Sequence, residues 1–288
     1  MKRTLTLWAG ICLLAVLTSA SLLAQSNCEE GNSPINSAQP QGFTSQEIIQ
    51  KTSAKETIFR QARNNYIYTQ DVTVQTLEGN TVDGEFRQVW EITYDEKGGR
   101  IENVTFAPQN TLTRIGMTRE DFSDIRNRLP FVLTTDDLPI YDVLYVGRQH
   151  VDEIDTYVFD MAPKHIEKGK RYFQGRIWVD DHDLQIVKTC GKSVPDVSQA
   201  NSKKKNVTEN LSPKFVTYRE QIDGLYWFPT YTRADDVLHF VGSDVHIREI
   251  IKYTNYKRFV FGATHKIILK GEVPPDDKKE EKPPEKKQ

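Results

Sequence analysis

The chain lacks most of what marks the commoner enzymes and nucleic-acid binders. Three cysteines occur in 288 residues, Cys12, Cys28 and Cys190. The two beyond the leading apolar run are no disulfide framework, although a Cys28–Cys190 bridge is open to the chain in an oxidising compartment. Neither sign of charge is in excess: 38 Lys and Arg against 40 Asp and Glu give a net charge of −2. Without a basic footprint, a nucleic-acid partner is not expected. Walker A, dinucleotide and G-x-S-x-G motifs are absent. The six histidines are His150, His165, His182, His239, His246 and His265, and none has HExxH or HxH spacing. Neither a metal site, a cofactor nor a catalytic residue is therefore expected.

Beyond the apolar run Leu5–Leu17 no segment approaches membrane-spanning length. That run follows Lys2 and Arg3 and precedes the small-residue stretch TSASLLAQ, the order of a secretory signal over residues 1–24. Cleavage after Ala20 or Ala24 fits; an uncleaved N-terminal anchor is the alternative. Residues 25–42, rich in Ser, Asn, Gln, Pro and Gly, read as a flexible leader. Residues 271–288 hold four prolines, dense mixed charge and no aromatic residue, and read as a disordered tail. One β-rich domain over 43–270 remains. The sequons at Asn103, Asn206 and Asn210 matter only in a host that glycosylates.

Within that domain, Thr44 and Glu47 form a capping box opening a helix to about Arg63. Period-two alternation follows, with Tyr66, Tyr68, Val72 and Val74 sharing one face and Phe86, Trp90, Ile92 and Tyr94 another. A second helix starts at Thr118 and stops before Pro130. Four hairpins come next, across VDEID, DDHD, Asp223-Gly224 and Gly242-Ser243; the Asp-Gly turn suits type I′ geometry. The sum is about ten to twelve strands and two or three helices. That excludes alternating βαβ units and predicts a mainly β fold, one large curved antiparallel sheet that either closes partly on itself or is covered by the helices. Residues 193–213 read as a polar loop insertion.

The cluster Asp180, Asp181, His182 and Asp183 invites a metal or acid–base reading. Pairing Val179 with Leu184 instead makes it a solvated hairpin tip, with Phe173, Ile177, Val179, Leu184 and Ile186 on one face. Four consecutive tip side chains diverge, whereas zinc needs convergent ligands and calcium a longer oxygen-rich loop. What stands out is aromatic and apolar surface beyond what a few helices can cover.

The strings YVGRQHVDEIDTYVFDMAPK and YFQGRIWVDDHDLQIVKTCGK, over Tyr145–Lys192, resemble the outer-membrane lipoprotein-sorting family of LolA-, LolB- and RseB-like periplasmic proteins. YREQIDGLYWFPTYTRADD and IREIIKYTNYKRF are similar to later strands of that family, and the resemblance covers roughly residues 45–262. The 193–213 insertion and the charged tail depart from it. The resemblance implies a half-open barrel lidded by helices, with an apolar cavity for lipid acyl chains or lipoproteins. The expected function is thus a secreted, periplasmic, non-catalytic carrier. Its candidate lining is Trp90, Ile92, Phe173, Ile177, Val179, Ile186 and Trp227. The alternatives are an envelope sensor or protein-interaction module with an envelope protein as partner, and, third, a hydrolase using the acidic turns.

Overall fold

The computed structural model describes residues 28, 33–196, 211–261 and 267–269. The signal-like segment 1–24, most of the 193–213 insertion and the 271–288 tail lie outside the described residues. No helix among the described residues is long and apolar enough to cross a membrane.

The architecture is mainly β, as expected: among the described residues there are one open antiparallel sheet and two α-helices. Helix α1 spans Ser45–Arg63 and α2 Arg119–Asn127. Both open on complete capping boxes, Thr44 with Glu47 and Thr118 with Asp121, which satisfy backbone donors that the first turn leaves free. The strands are β1 Tyr66–Glu78, β2 Thr81–Tyr94, β3 Arg100–Phe106, β4 Tyr141–Val151, β5 Ile154–Pro163 and β6 Tyr172–Asp180. They continue with β7 Ile186–Val194, β8 Phe215–Ile222, β9 Tyr226–Phe240, β10 Ser243–Phe261 and β11 Ile267–Leu269. The order across the sheet is β3-β2-β1-β10-β9-β8-β7-β6-β5-β4, and β11 pairs with the end of β10.

Two meanders are thus joined where β1 meets β10, paired from Tyr66–Arg258 to Leu77–His246 with one bulge between Ile67 and Thr69. The connection from β3 to β4, residues 107–140, must travel from one sheet edge to the other, and it crosses one face as a strap. Its path is pinned by Thr111 to the Glu85 carbonyl on β2, by the Leu129 carbonyl to Thr217 on β8, and by Thr135 to Thr57 on α1. Gly84 makes room for it: a Cβ there would lie 3.0 Å from the Thr111 carbonyl oxygen.

The strap and α1 cover the inner face. Ile48 and Ile49 of α1, Ile125 of α2, and Phe131 and Leu133 of the strap pack with the inward rows Val72–Val74, Phe86–Trp90–Ile92, Phe159–Met161 and Phe173–Ile177–Val179. The parity read from the sequence for β1 and β2 is the parity found. A buried ion pair fastens α1: Glu56 meets Arg219 of β8 at 3.1 Å and accepts the Ile186 amide at 3.1 Å, while Arg219 also reaches the Phe131 carbonyl.

Four sequence expectations need correction. Val179 opposes Ile186, not Leu184, with a bulge after Trp178. Asp180 accepts the His182 amide, and Leu184 takes a left-handed φ of 53°, so the loop curls further than a simple tip. The shift is by two residues, and the faces survive because side chains alternate with period two. Asp180 is buried rather than solvated. The hairpins read across Asp223-Gly224 and Gly242-Ser243 share one long strand, β9, which runs unbroken through Asp235, held by His246 and Arg248, and Asp236, which accepts the Lys214 amide. The 193–213 insertion starts later than expected, since Ser193 and Val194 belong to β7.

Residues 33–42, expected to be part of a flexible leader, include anchored ones. Ser33 and Asn36 pair with His150 and Arg148 on β4, the sheet's outer strand, and Tyr145 donates to the Ala38 carbonyl. The approach needs Gly147, where a Cβ would lie 2.3 Å from the Asn36 carbonyl oxygen. Cys28 is disulfide-bonded to Cys190 of β7, with Cα atoms 5.6 Å apart. Together with Ile35 it covers a second cluster on the outer face, built on Val158, Trp178, Val187 and Val216.

Candidate functional site: an acid-floored cavity under the strap

Six of the seven residues proposed as lining, Trp90, Ile92, Phe173, Ile177, Val179 and Ile186, lie together in the inner-face core, each almost wholly buried. Trp227 lies on the other face, against the second cluster, and donates its indole N–H to Asp183 at 3.1 Å. None of the six inner-face residues faces open space, because α1 and the strap fill the sheet's centre, and Trp227 is half-buried on the outer face.

The cavity lies further along, where β1, β9 and β10 pass under α2. It has a volume of about 430 Å³, within the usual ligand-pocket range of roughly 300–1,000 Å³. Val74 of β1, Leu238 and Phe240 of β9, Ile247 of β10 and Phe215 of β8 make the sheet wall. Ile115, Met117, Ile125 and Leu129 make the roof, and Leu211 to Pro213 one side. Alternation along β10 puts Ile247, Glu249, Ile251 and Tyr253 on this face, so an acid falls in an apolar row.

Four charged residues line the cavity: Arg114, Asp121, Asp124 and Glu249. Arg114 bonds Asp83 at 2.8 Å and lies 3.5 Å from Glu78. Asp121 accepts both the amide and the hydroxyl of Thr118. Asp124 holds Arg171 at 2.7 Å and Arg128 at 3.3 Å, and Arg171 reaches on to Ser212, closing the side wall. Glu249 is 8% exposed, and among the described residues no hydrogen bond or ion pair reaches its carboxyl. Burial, reinforced by the nearby carboxylates Asp121 and Asp124, pushes that carboxyl up to about 8. Burial also raises Asp121, against the pull of its Thr118 bonds. At neutral pH the floor is therefore a mostly protonated carboxyl under apolar walls. It can accept or donate a hydrogen bond, or ionise beside a cation.

This floor was missed in the sequence, yet a signal existed: Glu249 shares parity with Ile247, Ile251 and Tyr253. The residues from α2 and the strap carry no such mark, because they reach β10 only through the crossing connection.

The acidic tetrad is occupied by the fold. Ligand atoms of Asp180, Asp181 and His182 come within 4.8 Å of one another. However, Asp180 accepts the His182 and Asp183 amides, Asp181 binds Arg148 at 2.6 Å, and Asp183 accepts from Gln221 and Trp227. His239 and His246 do not face each other as a pair; each meets its own carboxylate, Asp244 and Asp235.

Fold and cavity define an open antiparallel sheet that encloses a small apolar chamber beneath its own crossover. No protein-family model matches the chain. No curated protein matches it either. Among solved structures it is similar to a DUF1329 family protein from Desulfovibrio piger, at 16% identity and a TM-score of 0.35, over 71% of this chain and 90% of that one. A LolA superfamily protein from Nitrosomonas europaea is similar at 13% identity and a TM-score of 0.33, over 77% of this chain and 97% of that one. A putative outer membrane lipoprotein-sorting protein domain from Vibrio parahaemolyticus is similar at 11% and 0.33, over 73% and 93%. At these scores the likenesses carry no argument for function.

Proposed function

We propose that the chain is a non-catalytic binding protein whose cavity takes the apolar part of an amphiphile, such as a lipid acyl chain, outside the cytoplasm. The observation that carries this reading is the chamber of about 430 Å³ walled by Val74, Ile115, Leu238, Phe240 and Ile247. Burying a chain of ten methylenes there at ~0.8 kcal/mol each would contribute about 8 kcal/mol before the cost of association. That is enough to hold a ligand and little enough to release it. The signal-like residues 1–24 support the location.

A neutral polarity-sensitive dye and dodecanol test the reading. The dye should fluoresce on binding, dodecanol should displace it with one site per chain, and Ile115→Trp, which fills the chamber, should weaken both. A protein that binds neither, and that carries no lipid in native mass spectrometry, refutes it.

A second reading, an interaction module for an envelope protein, is favoured by β3. This edge strand leaves Ile101, Val104 and Phe106 exposed, and an uncovered edge invites pairing with another chain. Val104→Lys should then reduce partner cross-linking while leaving dodecanol affinity unchanged.

A further inference from the structure

The proposed ligand site contains a carboxyl, that of Glu249, for which the described residues provide no partner. Of the four charged residues around the chamber, three are engaged: Arg114 with Asp83 and Glu78, Asp121 with Thr118, and Asp124 with Arg171 and Arg128. Glu249 is more than nine-tenths buried, faces the chamber between apolar neighbours, and meets no hydrogen bond or ion pair among the described residues. An acid held this way is costly unless something brings it a donor or a positive charge.

We propose that the chamber is selective for an amphiphile with a cationic amine head, its chain along the apolar wall and its ammonium group against the Glu249 carboxylate. This inference rests on the binding reading above and names the ligand class of that site. The acids around the chamber, Asp121 and Glu249, are in no ion pair among the described residues, whereas its one lining cation, Arg114, is paired. From α2 the facing groups are Asp121 and Asp124, the latter already neutralised by Arg128 and Arg171. From the strap comes Arg114, turned to Asp83 and Glu78. The neighbouring strands offer Val74 and Ala234 opposite Glu249, without charge, and β10 itself offers the neutral Tyr253. A carboxylate-headed ligand would meet Asp121 and Glu249, which no cation neutralises among the described residues, whereas an ammonium would be drawn to both.

The carboxyl's raised value shows the same preference, since the proton it retains is the smallest cation available. An arriving ammonium takes the place of that proton, which leaves to solvent. Binding of the amine should therefore strengthen with pH. With the carboxyl near 8, the ionised fraction, and with it the affinity, rises about tenfold between pH 7 and pH 9. The amine itself stays protonated over that window.

Isothermal titration calorimetry of the full chain with dodecylamine, dodecanoic acid and dodecanol tests this, at pH 7 in two buffers of different ionisation enthalpy. The amine should bind about tenfold or more tighter than the acid, release close to one proton per site, and gain affinity towards pH 9. In Glu249→Gln the proton release should vanish, and the amine's advantage over the alcohol should fall with it. Should the alcohol bind while the amine gains no advantage and releases no proton in the unmodified chain, the inference is overturned and the binding reading stands. A preference that survives Glu249→Gln overturns it equally. Should none of the three bind, both fall. The proton count on the unmodified chain does not depend on the variant's folding.

Discussion

Replacing Glu249 by Gln should make the protein more stable at neutral pH, and by an amount set by pH. An unpaired carboxyl under apolar walls favours its protonated form: its ordinary value is 4.5, and in the folded chain it lies at about 8. Below pH 4.5 the group is protonated in folded and unfolded chains alike and contributes nothing to a difference between Glu and Gln. As pH rises, the unfolded chain loses the proton first, while the folded chain keeps it until about 8. Stability then falls by about 1.4 kcal/mol for each pH unit through that window and levels off above it. Glutamine, which cannot ionise, escapes the loss. Its advantage should be near zero at pH 4, about 3 kcal/mol at pH 7 and about 5 kcal/mol at pH 9. Urea denaturation of both proteins at those pH values measures it directly. A gap that does not change with pH, or a variant less stable than the parent at pH 7, would mean that the carboxyl is either solvated or paired, and the reasoning fails.

Three further outcomes follow from the contacts. Glu56→Ala strips the partner from a buried guanidinium and frees the Ile186 amide; it should destabilise the fold by about 3–5 kcal/mol, read from the urea midpoint. Gly147→Ala sets a methyl group against the Asn36 carbonyl; it should release residues 33–36 from β4, seen as faster amide exchange at Asn36 and Arg148 with little change at the core. Replacing Cys28 and Cys190 together by Ser opens a loop of 162 residues; the loss should be roughly 2–5 kcal/mol, checked by comparing oxidised, reduced and substituted chains in urea.

The sheet was legible in the sequence wherever alternation met a strong turn. Asp223 and Gly224 take φ of 59° and 72°, as an Asp-Gly hairpin should, and both helices begin at the capping boxes read from Thr44 and Thr118. Misreadings arose where composition stood in for contacts. The polar leader looked unstructured because its partners, Arg148 and His150, are more than a hundred residues away. Asp235-Asp236 read as a pair adjoining a turn because the cations that absorb one of them come from β10. The lining residues were chosen as the most apolar inward positions, which are the ones the helices and strap also seek, so the centre of the sheet filled and space remained at its margin. Glu249 was visible in principle as an acid in an apolar row. Its neighbours Asp121 and Asp124 were not, since nothing local to α2 indicates which strand it will overlie.

The pairing of β1 with β10 has a consequence for assembly in time. Strands β4 to β9 can zip together in the order in which the ribosome delivers them, each on its predecessor. The β1–β3 ribbon has no such seat until β10 arrives, with almost the whole domain between the two partners. Closing so long a span is slow relative to local zipping. Val74 comes from the early ribbon and Glu249 from the late strand, and they stand opposite each other in the wall of the chamber. The chamber is therefore among the last features to exist, and a ligand held there reports that the chain has finished folding.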